Sequence, residues 1–342
     1  MEGKHSTSGR ISREKVKTNK KSRKGLKIVG IIFLILIIII AGIGIGGFSY
    51  INSKLGMIDY DDLSADDIEV NAGINESLSG YRNIALLGLD AREDTFTGTR
   101  SDCIIIVSIN EKTKDVKLLS IYRDTYLELT GRDLDKVNHA YAYGGAQLTL
   151  STLNTNLDLN ITEYVTVNFE TVRTVVDSIG GIKMTVTNAE AESIPNISSG
   201  GTYTLNGEQA LAYSRIRKID TDYKRTERMR DVLTAIFTKV KSLSLGELNS
   251  LMDTILPHVR TNIKSSEIIG LLPQIASYKI AESEGWPYNT KGITLSAWYG
   301  VPVTLESNVV ELHKNLFGEV DYVPSDRVKQ ISNKIINKTG YR

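Results

Sequence analysis

The sequence predicts an α/β fold: a mixed β-sheet sandwiched between helical layers, forming a single extracytoplasmic domain behind an N-terminal transmembrane helix. Three observations lead there. Residues 28–50 hold no charge, and 28–40 are almost continuously aliphatic. Three short apolar runs follow one another at 84–89, 103–109 and 116–122, each bounded by polar or charged residues. Beyond them, strand and helix patterns alternate to the C-terminus, as a sheet covered by helices requires.

The N-terminal segment comes first. The formal net charge of +1 over 342 residues hides an asymmetry. Residues 1–27 carry ten Lys/Arg against Glu2 and Glu14, a balance of +8 that leaves −7 for the rest. At about 1.5 Å per residue a helix over 28–50 spans roughly the hydrocarbon thickness of a bilayer. The basic flank on one side and acidic residues on the other orient the N-terminus toward the cytoplasm. A cleaved signal peptide is the rival, but its apolar core is usually about 7–15 residues. This run is longer, so an uncleaved signal-anchor is expected. The glycines at 42, 44, 46 and 47 fall inside the span, where Gly42 and Gly46 suit close helix packing rather than a nucleotide. The basic tail needs no nucleic acid to explain it, and 27 residues are too few for a folded reader of DNA.

Residues 51–80, with seven Asp/Glu, one Lys and no sustained apolar period, predict a solvated acidic stalk. The globular domain is expected over 81–342, its motif-bearing part over 81–245. Residues 110–115 are a polar connection short enough for an antiparallel hairpin between the second and third strands. With the first two strands also antiparallel, Asp90 and Arg92, Arg100 and Asp102, and Arg123 and Asp124 share one rim of the sheet. Helices are expected at 145–157, 170–179, 206–212, 226–243, 245–259, 266–278, 308–317 and 325–337. Further strands are expected at 163–169, 182–187 and near 292–297, with 215–217 extended. The lone Cys103 forms no internal disulfide. The four histidines are too scattered for a zinc site.

Chemistry concentrates in three places. Asp90 and Arg92 face Arg100 and Asp102 across a loop. Two such carboxylates can share a hard cation that bridges to phosphate, and guanidinium groups pair phosphate oxygens two at a time. A surface ion-pair cluster reads the same way. The apolar strand ending in Arg123-Asp124 puts an arginine where α/β sheets bind ligands, although a strand-end salt bridge fits equally. Lys136 and Asn138 follow after a polar loop and suit either reading. Arg215 and Arg217, spaced by two, share one face of an extended segment. Arg225, Arg228 and Arg230 then crowd a helix N-terminus, where cations are disfavoured unless an anion binds. A solvated basic face is the alternative.

In order and spacing these pieces resemble the LytR-CpsA-Psr family of bacterial cell-wall enzymes, strongly over about 81–245. The matching segments are Gly88-Leu89-Asp90-Ala91-Arg92, Arg100-Ser101-Asp102, residues 120–124, Lys136 with Asn138, and Ala140-Tyr141-Ala142-Tyr143-Gly144-Gly145. They continue through Gly180-Gly181-Ile182, residues 207–213, Arg215 with Arg217, and Asp222 to Arg228. The resemblance implies a phosphotransferase that moves a glycopolymer (teichoic acid, capsule or another wall polysaccharide) from a polyprenyl-pyrophosphate-linked donor onto a peptidoglycan acceptor at the membrane. It implies Mg2+ or Mn2+ on Asp90 and Asp102. The catalytic group would be Asp90, Arg92, Arg100, Asp102, Arg123 and Asp124. Substrate would be held by Lys136, Asn138, Arg215, Arg217, Asp222, Arg225 and Arg228, and the prenyl tail by an apolar tunnel between sheet and helices. Two positions depart from the family pattern: Tyr122 replaces a proline, and Met229 replaces a glutamine. A pyrophosphatase acting on the same carrier, a membrane-anchored transcriptional attenuator and a silent lipid-binding protein are the competing readings. The presence of both Asp90 and Asp102 favours activity over the last.

Overall fold

The computed structural model describes residues 47–91, 96–216, 219, 228–229, 231–232, 235–236, 238–240, 242–271, 274 and 277–342. Helix α1 (Gly47–Leu55) leads into strand β1 (Asp59–Tyr60). Strands β2 (Tyr81–Leu89), β3 (Ser101–Asn110) and β4 (Asp115–Ile121) then run as an antiparallel meander, with Ile84 opposite Val107 and Val107 opposite Leu118. Two short strands, β5 (Tyr126–Glu128) and β6 (Leu134–Lys136), precede helix α2 (His139–Leu157). Next come β7 (Glu163–Asn168), helix α3 (Phe169–Ser178), the pair β8 (Ile182–Val186) and β9 (Gly201–Leu205), and helix α4 (Gly207–Ser214). The C-terminal part supplies α5 (Leu245–Ile255), β10 (Val259–Thr261), α6 (Ser265–Leu271), β11 (Lys279–Trp286), the hairpin β12 (Thr290–Thr294) and β13 (Trp298–Pro302), α7 (Leu305–Phe317) and α8 (Asp326–Thr339).

Seven strands form the central sheet in the order β1-β10-β7-β2-β3-β4-β11. The pairs β1/β10, β2/β7 and β4/β11 are parallel and the others antiparallel, so the sheet is mixed. Alternation along each strand sorts side chains into two layers. Ile84, Leu86, Ile105, Val107 and Leu118 face a cluster with Val176 of α3, Leu211 of α4 and Leu251 of α5. Ala85, Leu87, Ile104, Ile106 and Leu119 face the other, with Leu150 and Leu153 of α2, Leu312 of α7 and Ile331 of α8. Burial on both faces is why these strands read as unbroken apolar runs. The expected sandwich is therefore observed.

The acidic segment 51–80 departs from its expected role as a solvated stalk. β1 joins the sheet edge beside β10, and Leu55, Ile68, Ile74 and Leu78 are buried in the two cores. Its apolar residues are too sparse to make a period, yet each finds a place against the domain. The helix expected over 245–259 stops at Ile255, because 259–261 pair as β10 beside β7. The helix expected over 266–278 is α6, ending at Leu271. The strand expected near 292–297 is a hairpin of two strands. Arg215 is not extended: it closes α4 with φ −99° and ψ 2°, its N–H donating to Leu211 and Ala212. Helix α2 starts six residues earlier than its apolar pattern suggested, and the turn at Gly144-Gly145 explains why. Gly145 has φ +61°, and a methyl on Gly144 would lie 2.6 Å from Leu148 Cβ. Only glycine accepts that break. Among the described residues no helix is long and apolar enough to cross a membrane. The run at 28–50 lies outside them except for its last four residues.

Candidate functional site

β2 and β4 end, and β3 begins, at the same rim, so the charged residues that terminate these apolar strands converge. Asp90 follows β2 directly, and its N–H donates to the carbonyl of Arg100 (3.1 Å), closing the loop between them. Gly88 pairs with Cys103 and Leu89 with Ser101, which leaves Asp102 as the extra residue of a β-bulge. Bulges of this kind re-aim a side chain, often beside an active site. Here the redirected carboxylate is nearly buried, with 4% of its side chain exposed.

Asp102 is held from two sides. Nη1 of Arg123, just beyond β4, lies 2.5 Å from its Oδ2. Nδ2 of Asn138, at the start of α2, donates to its Oδ1 at 3.0 Å. Arg123 also lies 3.3 Å from Asp124 through Nε, and Asp124 accepts from Nζ of Lys136 at 2.6 Å. Asn138, Asp102, Arg123, Asp124 and Lys136 thus form one chain of alternating polar partners. Each of its ion pairs is at least four-fifths shielded from water, where charge-assisted contacts hold geometry firmly. The backbone fixes the same loop: Asn138 N–H donates to Arg123 O, and Val137 N–H to Thr125 O. At the far end of that loop, Glu128 accepts from Arg327 (2.6 Å) and Lys334 (2.7 Å), tying it to α8.

Arg215 reaches the rim from the end of α4, its Nη2 lying 3.0 Å from Asp90 Oδ1. This pair is open, with side-chain exposures of 38% and 32%. Arg100 is exposed beside it. Arg228 is 4% exposed and away from solvent: Nε contacts Glu190 at 2.9 Å and Nη1 donates to the carbonyl of Ile216 at 3.1 Å. Burial pushes the Glu190 carboxyl up, but the hydrogen bonds from Arg228 and Thr187 outweigh it and hold the group below its ordinary value. Arg92, Arg217, Asp222 and Arg225 lie outside the described residues.

Residues that sequence reasoning passed over also build the rim. Ser101 is fully buried, and its Oγ, like Asn138 Oδ1, has no hydrogen-bond partner among the described residues. Tyr299 of β13 lies under Lys136, with Nζ 5.5 Å from the ring centre, and Gly300 N–H donates to Asp124 O at 3.0 Å. Glu190 stands 38 positions before its partner Arg228 in the chain. Nothing local in the sequence marks Tyr299, Gly300 or Glu190. Ser101 carries a signal in hindsight, a hydroxyl set between the charged Arg100 and Asp102. The two departures from the family pattern are both accommodated. Tyr122 N–H donates to Trp286 O (3.0 Å), a bond that proline could not make, and its ring lies over Gly285. Met229 is buried in the core cluster with α3, α4 and α5.

The oxygens open to a cation at this rim are the carboxylates of Asp90 and Asp102, the latter already accepting from Arg123 Nη1 and Asn138 Nδ2, and Asn138 Oδ1 and Ser101 Oγ are buried without partners among the described residues. That set fits a hard divalent cation. Among the described residues no three or more His, Cys, Asp or Glu side chains gather as a metal site. A cation here would therefore rest on two carboxylates with waters and substrate phosphates, as Mg2+ commonly does.

The chain is similar to known proteins over most of its length. The LytR_cpsA_psr family model matches residues 48–314. The polyisoprenyl-teichoic acid–peptidoglycan teichoic acid transferase TagT of Bacillus subtilis (strain 168) is 36% identical over 295 residues, covering 81% of this chain and 90% of TagT. A solved structure of TagT bound to LIIa-WTA superposes with a TM-score of 0.53 at 29% identity, over 81% of this chain and 96% of that one. Another, TagT with bound octaprenyl pyrophosphate lipid, gives 0.50 at 26% identity, over 83% and 99%.

Proposed function

The chain belongs to the LytR_cpsA_psr family, and we propose that it transfers a glycopolymer, through its phosphate, from a polyprenyl-pyrophosphate carrier onto peptidoglycan. It is a transferase with a polyprenyl-linked donor, as its relatives are named. The observation that carries the reading is the convergence of Arg123 and Arg215 with Asp102 and Asp90 at the strand ends. Guanidinium groups held there by carboxylates are oriented before substrate arrives, which is what stabilising a phosphoryl transition state demands.

Arg215, open to solvent at the rim, exchanges Asp90 for pyrophosphate oxygens. Arg123, fixed by Asp102 and Asp124, offers charge from the opposite side. Arg228 acts at one remove, because its bond to the carbonyl of Ile216 steadies the chain next to Arg215. A muramic acid hydroxyl of the acceptor attacks the glycan-linked phosphorus. The new P–O bond forms as the bond to the bridging oxygen breaks, and polyprenyl phosphate leaves with that oxygen. The hydroxyl proton passes to a carboxylate. Asp90, about a third exposed and paired with Arg215, is more accessible for this than Asp124, which is gripped by both Arg123 and Lys136. Mg2+ on Asp90 and Asp102 would neutralise the charge gathering on the pyrophosphate. The prenyl tail runs in the apolar layer between the sheet and α3, α4 and α5, and the uncharged run at 28–50 anchors the domain outside the cytoplasmic membrane.

The test is reconstitution: full-length protein in detergent or vesicles, an isotope-labelled polyprenyl-pyrophosphate-linked glycan, and uncross-linked peptidoglycan. Label that moves into peptidoglycan with release of polyprenyl phosphate supports the proposal. Label released only as free glycan phosphate would make the enzyme a hydrolase of the same carrier. No loss of donor at all would overturn both.

A further inference from the structure

Trp298 begins β13 with 43% of its surface exposed, although the rest of that strand is buried. In the β12/β13 register, Trp298 stands opposite Thr294 and Gly300 opposite Gly292. Alternation therefore places Thr294, Gly292, Trp298 and Gly300 on one face of the hairpin. The two glycines make a bed for the indole. A methyl on Gly292 would lie 2.8 Å from Nε1 and 3.2 Å from Cε2 of Trp298, and one on Gly300 would lie 3.6 Å from Cη2. The ring thus lies against bare backbone and turns its other face outward. The hairpin beneath is braced, since Tyr341 donates to the Gly292 carbonyl at 3.0 Å.

The platform also borders the site. Gly300 N–H donates to the carbonyl oxygen of Asp124, and that same oxygen lies 3.9 Å from where a Gly300 side chain would begin. The indole edge and the Asp124 carbonyl flank one bare Cα. On the reverse face, Tyr299 packs on Tyr126, with ring centres 4.7 Å apart, and sits under Lys136. The strand therefore touches the phosphate-gripping loop twice, through its backbone edge at Gly300 and through the Tyr299 ring.

We propose that Trp298 is an acceptor subsite, a stacking platform for one pyranose ring of the peptidoglycan glycan strand. The proposal rests on the transferase reading above. A pyranose presents an apolar C–H face whose hydrogens suit the negative face of an aromatic ring. Its hydroxyls project sideways, toward positions such as Thr294. A sugar chain stacked here lies beside Asp124, so the neighbouring sugar's hydroxyl can reach the rim. The pyrophosphate donor does not need this surface, because its charge is met at Arg123 and Arg215.

The experiment uses the full-length protein and a soluble N-acetylglucosamine tetramer as probe. The sequence holds two tryptophans, and Trp286 is fully buried, so a change in indole emission reports Trp298. A saturable change is expected in the native protein. In labelled transfer assays, Trp298→Ala should raise the acceptor KM about tenfold, as loss of a stacking contact would. It should leave kcat and the donor KM within about twofold, the margin of a contact made equally in ground and transition states. Trp298→Tyr should recover most of the affinity, and Gly292→Ala, which lifts the indole off its bed, should weaken it. Emission that is unmoved by the tetramer, or an acceptor KM unchanged in Trp298→Ala, overturns the subsite. Failure of the transferase reading would show instead as no transfer by the native protein, and the emission titration does not depend on turnover.

Discussion

Arg123 and Asp102 are locked together at the rim, Nη1 to Oδ2 at 2.5 Å, by a carboxylate that a β-bulge turns inward and an asparagine amide holds from its other side. The arginine is therefore placed before any substrate binds. Arg123→Ala should lower kcat/KM by roughly 2–4 kcal/mol of transition-state stabilisation, the size of one lost charge-stabilising donor. Arg123→Lys should recover little, because an ammonium cannot bridge Asp102, Asp124 and a phosphate with one planar fork. Steady-state transfer kinetics on the two variants decide this, and full activity in Arg123→Ala removes the residue from the mechanism.

Metal dependence is the second expectation. Activity should vanish in excess chelator and return with Mg2+ or Mn2+. Asp102→Asn should weaken Mg2+ binding in calorimetric titration more than it lowers the melting temperature, since the amide oxygen still accepts from Arg123 and Asn138, whose own Oδ1 lacks a partner among the described residues, can turn to accept from the new NH2. Activity that persists in chelator would leave Asp90 and Asp102 as anchors for their arginines and nothing more.

Arg228 and Glu190 make the third. Removing the guanidinium strands a partly buried carboxylate and frees the Ile216 carbonyl, so Arg228→Ala should destabilise the fold by about 3–5 kcal/mol. The pH dependence has a definite sign. Glu190 is held below its ordinary value of 4.5 in the folded protein, so its stabilisation is present above that value. It is lost as the pH falls through the depressed one. Thermal melts of the native protein and Glu190→Gln between neutral and acidic pH should converge at the acidic end.

Met229 provides the fourth. It is buried among aliphatic side chains, so Met229→Gln places an amide where nothing apolar can satisfy it. A loss of about 1–3 kcal/mol in denaturant unfolding is expected. If the prenyl tail shares this layer, long-chain donors should bind the variant less tightly while short-chain analogues are unaffected. Equal, unaltered affinities for both would put position 229 outside the lipid path.

Much of this was legible in the chain, for physical reasons. β2, β3 and β4 are buried on both faces and so appear as continuous apolar runs. An arginine or aspartate closing such a run has nowhere to go but the rim. β11 was not legible: Lys279, Glu282 and Glu284 interrupt its apolar residues, because it is an edge strand held to β4 on one side only. The folding of 51–80 onto the domain was masked by its acidic residues, and the turn of Arg215 by a spacing that suits a strand. The Arg228–Glu190 pair and the seat of Trp298 depend on residues far apart or on glycines whose value lies in what they lack. No local pattern carries either.

The strand order has a consequence for how the chain reaches its native state. β2, β3 and β4 are consecutive and can zip as hairpins, but their outer neighbours are β7 and β11, and the sheet is finished only when β1 meets β10 across some two hundred residues. Contacts so distant in sequence form slowly. Until β11 arrives, β4 presents an open row of backbone donors and acceptors on an apolar strand, the kind of edge that pairs with the wrong partner. The rim residues up to Asn138 are made early, whereas the strand that seals β4 and the hairpin that abuts Asp124 are made much later. Vectorial synthesis thus leaves β4 unsealed, and Asp124 without its bond from Gly300, until the chain has run past β13.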